Sequence, residues 1–181
     1  MRITETYVDD DGEVLLELSL SNLKNNTRRA FGPKRSQKSN KTRVVNYMAI
    51  PSIDDKTLLL KFKVTGETSP YNVEVRFTNV KFGEEGSYPS MSKIVAMDGN
   101  EYQFKKFTSA QTQAKVKCNC LDFYYRFSVW NHGKNSLEGD PPEPYVRKTD
   151  YMPSVNPTRT PGMCKHIMKV IEFLRGENIL T

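Results

Sequence analysis

An α+β fold is predicted, with an N-terminal antiparallel β-sheet of sandwich-like or barrel-like form followed by a small module that ends in a helix. Three observations predict it. Segments between Val44 and Phe107 alternate apolar and polar residues with the period of two of a half-buried sheet. Met163 to Arg175 repeats instead at helical spacing, with Ile167, Val170, Ile171 and Leu174 on one face and Gly176 as a stop. Between them, Cys118-Asn119-Cys120 and Cys164-Lys165-His166 bracket a stretch whose composition differs from everything before it. A chain of 181 residues has room for one core, or for one domain with an appended module. The division is placed between residues 1–112 and 113–181.

The first expected element is a hairpin. Ile3, Glu5 and Tyr7 alternate, as do Val14, Leu16 and Leu18, around the turn cluster Asp9-Asp10-Asp11-Gly12. That cluster lacks the spaced oxygen donors and closing Glu of a calcium loop, so its aspartates are assigned to the turn. Residues 22–43 then carry Lys24, Arg28, Arg29, Lys34, Arg35, Lys38, Lys41 and Arg43 with no acidic residue among them. Interspersed Asn, Ser, Gly and Pro predict an extended basic loop, an arm suited to a nucleic-acid or protein partner.

Strands follow over Val44–Ala49, Leu58–Val64, Tyr71–Phe77, Lys93–Met97 and Glu101–Phe107, separated by turn residues such as Thr68-Ser69-Pro70 and Asp98-Gly99-Asn100. Tyr71, Val73, Val75 and Phe77 share one face of their strand. Phe123, Phe127 and Trp130 stand at helical spacing and predict a short helix over Leu121–Trp130 with its aromatics in the core. Residues 131–161 hold six prolines and are expected to form a strap without regular structure.

Composition bounds the function. The chain is 37% hydrophobic and 27% charged, which suits a modest core and argues against global disorder. It contains no run of about 18 apolar residues, and its polar start lacks a signal-peptide core, so a soluble protein in a cytoplasm is expected. A net charge of +6 favours an anionic partner. Three cysteines leave one thiol over from any disulfide framework, and two of them stand one residue apart, where bridging is awkward.

Metal ligation fits that count better. Zinc takes four soft or borderline ligands in a tetrahedron, and a closed set of three cysteines and one histidine leaves no position for a substrate. Cys118, Cys120, Cys164 and His166 supply that set, one zinc per chain, using every cysteine and one of two histidines. A helix start at Cys164 favours a thiolate, and Lys115, Lys117 and Lys165 are expected to offset the excess negative charge. Zinc closing so long a loop would contribute about 10 kcal/mol or more of folding free energy, and its loss is expected to unfold the C-terminal region. The alternative is three ordinary buried cysteines with a surface histidine.

These residues resemble the SWIM-type zinc finger, whose pattern is Cys-x-Cys, a spacer, then Cys-x-His opening an amphipathic helix. Val116-Lys117-Cys118-Asn119-Cys120-Leu121-Asp122-Phe123 is similar to the family's strand and knuckle, and Met163-Cys164-Lys165-His166-Ile167 to its helix start. The resemblance covers Ala114 to about Leu174 and departs in the spacer, 43 residues long, into which the Pro-rich strap is inserted. It implies a structural metal and an interaction module. With Pro144-Tyr145-Val146-Arg147-Lys148 and Pro161-Gly162, the chain is also similar to small zinc-finger-bearing structural proteins of large tailed phages. That likeness implies a virion component made in the host cytoplasm.

The expected function is therefore that of a non-enzymatic assembly protein with protein partners and no membrane or small-molecule substrate. The alternative is a nucleic-acid-binding accessory protein that uses the basic loop with Arg126, Arg147 and Lys148 on phosphates. An enzyme with Cys118 or Cys120 as nucleophile and His132 or His166 as base is set aside, because no nucleophile motif or phosphate loop accompanies them.

Overall fold

The computed structural model describes residues 7–8 and 14–15 by their backbone, and residues 18–33, 38–66, 69–143 and 154–181. Among them, β1 (Tyr7–Val8) and β2 (Val14–Leu15) form the expected N-terminal antiparallel pair. Strands β3 (Arg43–Ser52), β4 (Thr57–Thr65) and β5 (Pro70–Phe77) follow as an antiparallel meander, and β8 (Ala114–Cys118) completes a four-stranded sheet of order β3-β4-β5-β8. Strands β6 (Met91–Val95) and β7 (Glu101–Lys105) make a separate hairpin. The helices are α1 (Leu20–Phe31), α2 over residues 121–132 and α3 (Lys165–Gly176). The fold is α+β with antiparallel sheet and a C-terminal helix, and no helix among the described residues is long and apolar enough to cross a membrane.

Period-two alternation decides which face of the sheet is covered. Leu58, Leu60, Phe62 and Val64 of β4, Val73, Val75 and Phe77 of β5, and Ala114, Val116 and Cys118 of β8 are all buried. Helix α3 lays Ile167, Val170, Ile171 and Leu174 into the same core, and its Phe173 ring stands 5.5 Å from Tyr47 and 6.0 Å from Phe62. The β6–β7 hairpin adds Ile94 and Phe104, and Phe77, Phe107 and Phe104 stack in a column at 4.0 and 4.9 Å. Burial of this apolar surface, at about 25 cal/mol per Å2, is the main force holding the elements together. The core does not stop at residue 112: β8, which opens the second expected unit, pairs with β5 along its length.

The basic loop expected over residues 22–43 is corrected by α1. Ser19 caps the helix, its Oγ accepting from the Asn22 N–H at 3.2 Å, and Gly32 ends it at φ 75° with its N–H on the Arg28 carbonyl. Leu20, Leu23 and Thr27 form the buried stripe, and Phe31 meets Phe127 edge-on at 5.5 Å. Burial of that narrow stripe overrides the weak helix propensity of the Asn, Ser and Thr around it. Lys38–Lys41 form a 3-10 turn, and Lys34 and Arg35 lie outside the described residues.

The expected helix over Leu121–Trp130 is present and interrupted. An α turn, Leu121–Phe123, passes into a π-turn, Tyr124–Ser128, before Val129–His132 resumes α. Phe123 and Phe127 are buried as expected, while Trp130 is only half-buried. The Arg126 carbonyl accepts from the buried Asn156 amide at 2.6 Å, so the described part of the strap is fastened to this turn. Residues 144–153 of the strap, including Arg147 and Lys148, lie outside the described residues.

The outer edge of β8 is also covered. The Ser136 carbonyl accepts from the Val116 N–H at 3.0 Å, and the Glu138 N–H donates to the Val116 carbonyl at 3.2 Å. This places Glu138, 6% exposed, against Arg76, whose Nε and terminal amine donate to its two carboxylate oxygens at 2.8 and 2.6 Å. The pair is bidentate and shields the sheet edge. Glu138→Ala is expected to cost about 2 kcal/mol, since the guanidinium is partly solvated, measured as a shift of the urea unfolding midpoint at unchanged slope.

Candidate metal centre

Two segments bring the four expected ligands together. Cys118 ends β8 on its buried face, opposite Val73 of β5. Asn119 then locks the turn, its Oδ1 accepting from the Asn72 N–H at 2.9 Å and its own N–H donating to the Asn72 carbonyl at 3.2 Å. Cys120 is thereby placed as the N-cap of α2, where the Phe123 N–H donates to its Sγ at 3.3 Å. Cys164 is the N-cap of α3, and His166 sits in that helix's first turn. Two of the three sulfurs thus stand at helix starts, where free amides and the helix dipole favour a thiolate.

The last approach to Cys164 is pinned from two sides. The Asn131 side-chain amide donates to the Gly162 carbonyl at 3.0 Å and accepts from the Gly162 N–H at 2.8 Å. Thr27 of α1 accepts from the Met163 N–H at 2.9 Å while donating to the Leu23 carbonyl. Gly162 has no room for a side chain: a Cβ there would stand 2.5 Å from Thr27 Oγ1 and 2.8 Å from Phe127 Cε1. Gly162→Ala is expected to cost about 1–3 kcal/mol through forced displacement of those neighbours, read as a lowered melting temperature.

The ligand atoms of Cys118, Cys120, Cys164 and His166 all lie within 4.8 Å of one another, and all four residues are buried. His166 Nδ1 faces the sulfurs at 3.7 Å from Cys118 and 3.9 Å from Cys164. In a tetrahedral site with Zn–S of about 2.3 Å and Zn–N of about 2.0 Å, ligand atoms stand roughly 3.5–3.8 Å apart. The four residues therefore fit a single metal ion, and a soft donor set of three sulfurs and one nitrogen suits zinc among the common ions.

In the metal-free cluster the three thiols shift one another in opposite directions. Hydrogen bonds from Cys118 and then Cys164 hold the Cys120 thiol far below the ordinary thiol range, despite its burial. Cys118 is pushed up chiefly because it donates to Cys120, and Cys164 chiefly by burial. A dication among them would replace the shared protons and ionise all three.

The expected lysine offset is corrected for two of its three residues. Lys115 and Lys117 alternate with Ala114, Val116 and Cys118 along β8 and belong to the opposite face of the sheet, across from Arg76 and Glu74. At Cys120 the Phe123 N–H faces the sulfur instead.

Of the basic residues, Arg28 and Arg29 are exposed in the last turn of α1, where cations suit the helix dipole, and with Asn25 and Pro33 line a shallow pocket of about 400 Å3. Lys41 and Arg43 are exposed, Lys24 is half-buried, and the side chain of Lys38 lies outside the described residues. Arg126 is not the free phosphate contact expected of it, because it is ion-paired with Asp122 at 2.6 Å and lies over the Phe31 ring. A second basic cleft, of about 340 Å3, is lined by Lys81, Lys105 and Lys106 with no carboxylate among the described residues, and no charge run in the sequence announces it. His132 is exposed at the end of α2 and is not part of the cysteine cluster.

Comparison of the chain with protein-family models, with curated proteins and with solved structures finds no match.

Proposed function

We propose that this chain is a non-enzymatic assembly protein in which a structural zinc centre of SWIM type, held by residues of β8, α2 and α3, fixes α3 and the strap to the sheet. The observation that carries the reading is the closed, buried set of three cysteines and one histidine, with Cys118, Cys120 and Cys164 only 4%, 3% and 0% exposed. A nucleophilic or redox cysteine needs access to its substrate, and these have little. Structural zinc needs the reverse, four protein ligands and no open position. Resemblance to small structural proteins of large tailed phages extends the reading to a virion component, made in the host cytoplasm and built into a protein lattice.

A second reading, a nucleic-acid-binding accessory protein, is favoured by the exposed Arg28 and Arg29 of α1, whose pocket is lined by no acidic residue among the described residues. Salt separates the two. Phosphate contacts release counterions, so DNA binding through about six or more phosphate contacts falls by about a thousandfold or more between 50 and 200 mM salt. Co-sedimentation with assembled particles that survives 200 mM salt supports the lattice reading. Steeply salt-dependent binding to a DNA duplex, weakened by Arg28→Glu with Arg29→Glu, supports the accessory-factor reading instead.

A further inference from the structure

We infer that Tyr71 is a positioning residue of the metal centre, holding the His166 imidazole by ring stacking so that Nδ1 is the ligating nitrogen. The inference rests on the zinc reading above and deepens it. A histidine that binds a metal through one nitrogen ordinarily donates its other N–H to a carbonyl, carboxylate or water, and that bond fixes the ring. Here Nδ1 is the atom that faces the sulfurs, and Nε2 is buried with no hydrogen-bond partner among the described residues. Among the described residues, then, no hydrogen bond on Nε2 sets the orientation of this ring.

The ring lies against Tyr71 instead. Their centroids are 4.2 Å apart and their planes 26° from parallel. Tyr71 is itself confined: a Cβ on Gly66 would stand 2.6 Å from Tyr71 Cε2, so the tyrosine ring occupies space that only glycine leaves free. Backbone pairing of Tyr71 with Val64 fixes its base, and period-two alternation aims it at the α3 side of the sheet with Val73 and Val75. The imidazole is thus set by a chain of contacts from the β4–β5 hairpin to the first turn of α3. Stacking restrains tilt and leaves Nδ1 aimed at the ion. A face-on aromatic contact also accommodates a ring whose electron density is drawn toward a cation better than empty space would.

The test compares full-length wild type, Tyr71→Phe, Tyr71→Leu and Gly66→Ala, with zinc itself as the probe in competition with a chromophoric chelator. Ligation is read from nitrogen NMR of 15N-histidine-labelled wild-type protein loaded with zinc. Tyr71→Phe keeps the stack and is expected to bind within about threefold of wild type. Tyr71→Leu and Gly66→Ala are expected to weaken zinc binding by about 10–100-fold, as loss of an outer-shell partner does elsewhere. The wild-type spectrum is expected to show metal on Nδ1 and a proton on Nε2, a signature that folding alone does not move. Ligation through Nε2, or Tyr71→Leu affinity within about twofold of wild type, would overturn the inference while leaving the zinc centre standing. Absence of zinc uptake by wild-type protein would overturn both.

Discussion

Stripping zinc with a strong chelator is expected to abolish the cooperative thermal transition of the whole protein, not of its C-terminal third alone. The magnitude follows from comparison of two energies. Structural zinc contributes about 10 kcal/mol or more of folding free energy in small domains, whereas a domain's total stability is about 5–15 kcal/mol. The extent follows from where the ligands sit. Cys118 belongs to the same strand as Ala114 and Val116, and His166 to the same helix as Ile167 and Val170, all in one hydrophobic cluster with β4 and β5. A buried gap or buried thiolates at that point are felt by the sheet.

Circular dichroism with metal analysis before and after chelation checks the expectation, and His166→Ala in parallel removes one ligand without a chelator. The sign of the pH dependence also follows. In the metal-free protein Cys118 and Cys164 are pushed above the ordinary thiol range, so both hold their protons at neutral pH and zinc must displace them. The metal-bound form binds fewer protons, so affinity, and with it the metal's contribution to stability, weakens as pH falls. A protein that purifies without zinc and melts unchanged in chelator would remove the metal centre and return these residues to ordinary buried thiols.

The grouping of the three cysteines with His166 is legible in the sequence because its signal is local: Cys-x-Cys at a strand end and Cys-x-His at a helix start are readable without knowing the path between them. The β4 and β5 strands are legible for a similar reason, since alternation such as Tyr71, Val73, Val75 and Phe77 is a property of neighbours. Helix α1 is not. Its buried stripe is carried by Leu20, Leu23 and a threonine, and Thr27 is buried because it accepts from Met163 N–H, 136 residues away. The lysines beside the cysteines mislead because proximity in sequence is not proximity in space, and adjacent residues of a strand face opposite ways. Tyr71 carries a readable signal, its place on the buried face. Its pairing with His166 does not, because only the tertiary fold brings α3 over β5.

Asn131 carries the largest expected effect of any residue outside the ligand set. It is fully buried, and its side-chain amide makes both hydrogen bonds of Gly162, giving and receiving as a neighbouring strand would. Asn131→Ala leaves a main-chain N–H and a carbonyl buried without partners. Each costs about 1–3 kcal/mol, so a loss of about 3–4 kcal/mol and a melting temperature lower by roughly 10 °C are expected. Gly162 stands two residues before Cys164, so freeing it also loosens a residue of the proposed metal centre, and zinc affinity is expected to fall together with stability. Asn131→Asp separates hydrogen bonding from shape. The aspartate still accepts from the Gly162 N–H, but sets its second oxygen against the Gly162 carbonyl, so it is expected to fare no better than alanine despite conserving volume. An aspartate variant as stable as wild type, or an alanine variant within about 0.5 kcal/mol of it by urea unfolding, would mean that the approach to Cys164 is held by packing from Thr27 and Phe127 rather than by this amide.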